Sequence, residues 1–267
     1  MKRLREMVAD YLFWKVYTPA ENVCADFRDG VQRLTVGDVS AYFEESTEYG
    51  GDIVRRSHRR ETDVLEDLIA DELRPDDRFL DVGANIGLYS CFAMRKLSPG
   101  HLTSVEPYPP NIEQLRRNLA LNAEPTAFSI AQVALSETDG TASFTPPESG
   151  TVGAETASLE SEASGFSVSV VRGDELLDQR ELSVPNVVKI DVEGNEHATI
   201  RGLEQTLTSE QCRCLYCEVH RSGTEEGYSE QILALINQLG FDIENQWESP
   251  GGSATVVKAT SRDGPNP

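Results

Sequence analysis

The 267-residue chain has little lysine: five residues, at positions 2, 15, 96, 189 and 258, with arginine making up the rest of a basic total of 24. Asp and Glu number 45, so the formal net charge is -21. A surface this acidic repels phosphate backbones and argues against a nucleic-acid substrate. The acid-rich, lysine-poor balance resembles that of proteins from salt-loving archaea, in which high salt screens self-repulsion, with an acidic mesophilic protein as the alternative. Long apolar runs are also missing, and nothing approaches a membrane span. The N-terminal M-K-R-L-R-E-M-V-A-D-Y-L-F-W-K-V-Y begins with positive charge, but Glu6, Asp10 and Lys15 interrupt any signal-peptide core. Cysteine is scarce and odd in number, at five. With no export signal, this points to a reducing, cytoplasmic setting.

What is present suits an ordinary soluble globular protein. Hydrophobic residues make up 39% and charged residues 26%, and the length is enough to bury a sizeable core. Leu4, Met7, Val8, Tyr11 and Leu12 fall at helical spacing, so an N-terminal helix is expected. It packs on the body, or serves as a dimer contact or a membrane-surface face. Short strands V-Q-R-L-T-V and S-A-Y-F-E-E follow among glycines, completing an extension over residues 1–57.

From about residue 58 to 267 strands alternate with helices. Helix E-T-D-V-L-E-D-L-I-A-D-E-L leads to strand R-F-L-D-V, a glycine-bearing turn and a helix; H-L-T-S-V-E-P is the second strand and A-F-S-I-A-Q-V-A-L the third. Residues of about 136–166, rich in Ser, Thr, Gly, Pro and Glu, read as a mobile insertion around the strand pieces T-A-S-F-T and G-F-S-V-S-V-V. V-V-K-I-D-V and C-R-C-L-Y-C-E-V-H are the fourth and fifth strands, and F-D-I-E-N-Q-W and T-V-V-K-A-T-S form a terminal hairpin. The alternation predicts an α/β, doubly wound, mostly parallel sheet, in which ligands bind at the carboxyl ends of the strands.

Those ends carry the polar residues. The first strand closes in D-V-G-A-N-I-G, holding Asp81, Gly83, Asn85 and Gly87, where glycine lets backbone and ligand approach closely. Glu106, about 20 residues on at the end of the second strand, suits the two hydroxyls of an adenosine ribose. The middle glycine of the dinucleotide fingerprint is absent, and Asp81 sits beside the loop. Both features fit a cationic sulfonium cofactor better than a pyrophosphate.

Together, D-V-G-A-N-I-G-L-Y-S, E-P-Y-P-P-N-I-E-Q-L-R-R-N-L-A-L-N, A-L-S-E-T-D-G, K-I-D-V-E-G-N-E and C-E-V-H resemble, in this order, the motifs of the FkbM family of S-adenosylmethionine-dependent methyltransferases, over about residues 60–245. The resemblance implies a seven-stranded Rossmann-like sheet whose last strand inserts antiparallel, and methyl transfer to a hydroxyl of a sugar or polyketide. It carries Asp81, Gly83, Asn85 and Gly87 onto the cofactor loop and Glu106 onto the ribose acid. Pro107 and Asn111 fall at the start of the second helix. Ala134 and Leu135, at the end of the third strand, become the adenine-side segment.

The fourth strand places Lys189, Asp191 and Glu193 on one face, with the two acids emerging toward the acceptor. Methyl transfer to a hydroxyl needs an aligned oxygen and a base for its proton. His220, at the end of the fifth strand with Glu218, titrates near neutrality and is the first choice of base, with Asp191 orienting it or the acceptor and Glu193 beside them. Asn195 and Glu196 read as helix capping, and His197 as structural. Asp191, Glu193 and Glu218 offer an alternative magnesium site, but the site as read contains no metal. Cys212, Cys214, Cys217 and His220 do not make a zinc site, because strand geometry turns Cys212 and Cys214 away from Cys217. The expected activity is therefore S-adenosylmethionine-dependent O-methyl transfer to a small polyhydroxylated acceptor, most simply a sugar or lipid-linked glycan. The competing readings are an NAD-type oxidoreductase and a cofactor-binding module without catalysis.

Overall fold

The computed structural model describes residues 30–44, 51–124, 127–145, 158–160, 166–221, 227–249 and 252–262. The helix expected over positions 4–12 lies outside these residues.

The described chain opens with a hairpin, β1 (Val31–Val36) and β2 (Val39–Glu44). Helix α1 (Gly51–Arg60) and helix α2 (Thr62–Leu65) follow, and α2 widens into a π-helical stretch, Glu66–Glu72. Next come β3 (Arg78–Val82), α3 (Leu88–Lys96), β4 (His101–Val105), α4 (Pro109–Ala120) and β5 (Phe128–Ala131). Strands β6 (Ala134–Ser136), β7 (Gly140–Thr145), β8 (Ser158–Glu160) and β9 (Phe166–Arg172) form a separate small sheet. The chain then runs through α5 (Gly173–Gln179), β10 (Val187–Ile190), α6 (Glu196–Gly202), α7 (Glu204–Leu207) and β11 (Cys214–His220). It closes with α8 (Tyr228–Gln238), β12 (Phe241–Glu248) and β13 (Ala254–Ser261).

The main sheet has seven strands in the order β12-β13-β11-β10-β3-β4-β5. Every neighbouring pair from β11 to β5 is parallel, while β13 is antiparallel to both β11 and β12 and lies between them. Alternation along each central strand feeds two cores, as a period of two requires. Phe79, Val187 and Tyr216 pack on one face with Phe92 of α3 and Leu115 of α4. Leu80, Val188 and Leu215 pack on the other with Ile200 of α6 and Ile232 of α8. Strands covered on both faces must be nearly continuous in apolar residues, which is why V-V-K-I sits here. Its one charge, Lys189, is an exception that the site explains.

The hairpin is fastened to the body through α4. Asn122 bonds both the amide and the carbonyl of Tyr42, and Asn118 Oδ1 accepts from the Glu44 amide. Ala41 and Phe43 enter the core beneath it. The widened turn at Glu66–Glu72 has its own support: Lys96 Nζ donates to the carbonyls of Ile69 and Ala70 at 2.5 and 2.7 Å.

Two expectations need correction. A-F-S-I-A-Q-V-A-L is not one strand, because β5 stops at Ala131 and Ala134 and Leu135 belong to β6, paired with Val170 and Val171 of β9. Beyond the bond from the Glu106 amide to the Ala131 carbonyl, the next amide on that side of the neighbouring chain is that of Tyr108, and it donates to Glu106 Oε1 instead of continuing the ladder. The cysteines also divide differently. Cys214 faces one core, while Cys212 and Cys217 face the other, because β11 begins only at Cys214 and strand alternation does not reach Cys212. All three are buried free thiols. Among the described residues no helix is long and apolar enough to cross a membrane.

Candidate functional site

The sheet order changes direction at β3, with β4 and β5 laid to one side and β10 and β11 to the other. The two chains leaving β3 and β10 therefore diverge, and a crevice opens at their carboxyl ends. Gly83, Asn85 and Gly87 all take positive φ (81°, 51° and 92°), giving the loop after β3 its tight path. The amides of Gly83 and Ala84 both reach the Val105 carbonyl. At Gly83 the close approach is internal: a Cβ there would lie 1.7 Å from the Asp191 carbonyl oxygen. This glycine joins the two strand ends at the switch point. A Cβ at Gly87 would meet Leu115 Cδ1 at 2.6 Å.

Glu106, one residue past β4, folds its carboxylate back under this loop. Oε2 accepts from the Asn85 amide at 2.9 Å; Oε1 accepts from the Tyr108 amide at 2.8 Å and from Asn111 Nδ2 at 3.4 Å. Burial pushes its carboxyl up to about 7, although these donors oppose the rise. A carboxylate has about four lone-pair sites. With three donors already in place, Glu106 keeps acceptor capacity for one further hydroxyl. Ala134 and Leu135 are placed elsewhere. The Leu135 carbonyl already accepts from Asn195 Nδ2 and Thr199 Oγ1, tying β6 to the start of α6. The residues that leave the edge of the third strand are Gln132 and Val133.

Asp81 does not line the loop. Its side chain is buried against α3, where Oδ2 accepts from Ser90 Oγ at 2.5 Å; Oδ1 finds no hydrogen-bond partner among the described residues and lies 4.0 Å from Lys189 Nζ. Burial raises its carboxyl above the usual range, against the pull of Lys189. Lys189 stands opposite Asp81 in register, lies over the Tyr89 ring at 4.4 Å and donates to Asp191 Oδ2 at 3.0 Å. Burial works against its charge, but Asp191 and Asp81 outweigh it and hold the ammonium protonated. The lysine within an apolar strand was visible in V-V-K-I-D; its two partners were not.

The last group forms where β10 and β11 end. β10 stops at Ile190, so Glu193 is not a continuation of the strand. It sits in a left-handed turn (φ 47°) followed by Gly194 (φ 88°). That turn carries Glu193 and Glu196 back toward β11. His220 Nδ1 lies 2.5 Å from Glu196 Oε1, and Nε2 lies 3.3 Å from Glu193 Oε2 and 3.9 Å from Glu218 Oε1. Glu196 is completely buried. It also accepts from the Gly194 amide at 3.0 Å and from the Tyr228 hydroxyl at 2.7 Å. The residue read as a helix cap is therefore the histidine's partner, while Asp191 is committed to Lys189. Tyr228 was not foreseen at all, and His197 contributes its amide to the Tyr228 oxygen.

Burial opposes a charge on His220, but the Glu196 hydrogen bond and the carboxylates of Glu193, Asp191 and Glu218 more than compensate and hold it at about 9. In the protein without ligands it is thus an imidazolium at neutral pH, not the neutral base suggested by its ordinary range. Glu218 is raised by burial first and by Asp191 second. One atom from each of Asp191, Glu193 and His220 lies within 4.8 Å of the others, a spacing that a cation can share. The ammonium of Lys189 and the Glu196 bond already engage members of that set. The group can hold a positive charge, orient a hydroxyl or move a proton at His220 Nε2.

Residues 81–243 match the methyltransferase FkbM domain, over more than half of the chain. The hexuronic acid methyltransferase AglP of Haloferax volcanii is 32% identical over 154 residues, 58% of this chain and 61% of that protein. The match thus spans about three fifths of that relative's length. The 31-O-demethyl-FK506 methyltransferase FkbM of Streptomyces tacrolimicus is 27% identical over 201 residues, 64% of this chain and 75% of that protein. Among solved structures, a Streptococcus mutans protein described as a SAM-dependent methyltransferase superposes with a TM-score of 0.51 at 10% identity, covering 87% of this chain and 56% of the other. At that identity the likeness is one of fold.

Proposed function

The chain belongs to the methyltransferase FkbM family, and on that footing we propose that it transfers the methyl group of S-adenosylmethionine to a hydroxyl of a small polyhydroxylated acceptor, a sugar or lipid-linked glycan. The observation that carries this reading is a juxtaposition. Contact between Gly83 and the Asp191 backbone sets the loop and Glu106 directly beside the Asp191–Glu193–His220 group. The relative that acts on a hexuronic acid favours a sugar acceptor over a polyketide.

The residues fit an adenosine-bearing cation. Glu106 would take a ribose hydroxyl, the Gly83–Gly87 loop would line the remaining path, and the carboxylates at the mouth favour positive charge. When bound, the cofactor supplies an electrophilic methyl on a cationic sulfur. The chain's own residues do the rest. Glu193 and the Asp191 oxygen that Lys189 does not take, Oδ1, accept hydrogen bonds from the acceptor and fix its hydroxyl at the mouth. His220 Nε2 takes the hydroxyl proton as the oxygen attacks, and Glu193 balances the imidazolium that results. A positive charge placed among the same carboxylates competes with the imidazolium, so it favours the neutral, proton-accepting form of His220.

Titration calorimetry with S-adenosylmethionine and with NAD separates this reading from an oxidoreductase. We expect binding of the sulfonium cofactor alone, and binding of NAD alone would overturn the assignment. Incubation with hexuronic-acid glycans, followed by mass spectrometry, should then show addition of one methyl group. Cofactor binding without any product across a glycan panel would favour a binding module.

A further inference from the structure

We propose that Glu196, backed by the Tyr228 hydroxyl, is the positioning residue that fixes the ring orientation and tautomer of His220, leaving Nε2 as its proton-accepting nitrogen. The role assigned to that nitrogen rests on the methyl-transfer reading; the clamp itself does not.

A fully buried carboxylate is costly unless each oxygen is hydrogen-bonded. Glu196 meets that requirement: Oε1 takes the Gly194 amide at 3.0 Å and His220 Nδ1 at 2.5 Å, and Oε2 takes the Tyr228 hydroxyl at 2.7 Å. A carboxylate only accepts, so the nitrogen facing it must carry the proton. When His220 gives up one proton, it is therefore the one on Nε2, the nitrogen turned toward Glu193 and Glu218. A carboxylate that orients a histidine in this way sets both its tautomer and its basicity. The local backbone serves the same end. Positive φ at Glu193 and Gly194 turns the chain after β10, which brings the first residue of α6 beneath the last residue of β11. Tyr228 comes from α8, so three elements converge on one side chain. Asp191, the orienting acid suggested by strand alternation, is held instead by Lys189.

The test uses full-length protein labelled with 15N in its four histidines, with the His220 signals assigned by their loss in His220→Gln. In the wild type, the nitrogen shifts of neutral His220 should report a proton on Nδ1 and a bare Nε2. A neutral form protonated on Nε2 would overturn the clamp, and this reading is made on the wild-type protein itself. In Glu196→Gln the His220 midpoint should fall, with proton binding at least about tenfold weaker. An unmoved midpoint would also overturn it. If turnover on a sugar acceptor is established, the acidic limb of its pH–rate profile should move to lower pH in Glu196→Gln. A uniform loss of rate with the limb in place would mean that Glu196 is only structural. Absence of turnover would sink the methyl-transfer reading while leaving the nitrogen shifts to decide the clamp.

Discussion

Gly83→Ala is the substitution on which the architecture of the crevice depends most. A Cβ at this position would lie 1.7 Å from the Asp191 carbonyl oxygen and 2.8 Å from its carbon, where real Cβ contacts are not found under 3.0 Å. The obstacle is backbone, so no side chain can rotate away. Either the end of β10 or the loop after β3 must move by more than an ångström. That movement breaks the bond from the Asp191 amide to the Val82 carbonyl, now 2.9 Å. Forcing φ near 81° on alanine costs about 1–2 kcal/mol, the lost ladder bond about 1 kcal/mol, and strain in a packed interior about 1–3 kcal/mol. Together these make about 3–6 kcal/mol, a large share of the 5–15 kcal/mol typical of a domain. Urea unfolding followed by circular dichroism is the assay, with Gly140→Ala as control, since its Cβ would meet nothing within 4 Å. We expect near-wild-type stability for the control and a large loss for Gly83→Ala. Full stability of Gly83→Ala combined with lost cofactor binding would refute the reasoning, because it would mean that this glycine exists to admit a ligand and not to join two strands.

Three further outcomes follow from the site and its charges. His220 is held at about 9 in the folded protein, so its contribution to stability is complete below its unfolded value near 6.5 and disappears as pH rises through 9. Replacing it with Gln should therefore destabilise the fold more at pH 6 than at pH 9.5, by up to about 3 kcal/mol in chemical denaturation, and equal losses at both would contradict the charge pairing. Glu106→Ala should weaken S-adenosylmethionine binding at least about tenfold by calorimetry, since bonds to a charged group contribute about 1.5–3 kcal/mol each; unchanged affinity would exclude the ribose role. With a net charge of -21, the thermal midpoint should rise as potassium chloride goes from about 0.1 to about 1 M and the screening length shrinks from about 10 to about 3 Å. A flat response would count against a halophilic design.

The legible part of this protein was whatever depends on near neighbours in the chain. Alternating periods of two and 3.6 identified the seven strands of the main sheet. They also marked the residues at its carboxyl edge: Gly83, Asn85, Gly87, Glu106, Asp191 and His220. The order of those motifs also pointed to the family. Tertiary structure alone decided which of these side chains meet. Glu196 and His220 are 24 positions apart, and their contact requires the register of β10 against β11 together with a left-handed turn after Ile190. Lys189 opposes Asp81 only because β3 and β10 are neighbours across the switch point, and that pairing draws Asp81 inward and occupies Asp191. Ala134 and Leu135 left the main sheet for β9, and the adjacent chain's next amide, that of Tyr108, is taken by the Glu106 carboxylate. The physical reason is common to all three. Periodicity specifies which face or edge a residue occupies, whereas hydrogen-bond and charge partners are chosen by the distances that packing creates, and those have no signature along the chain.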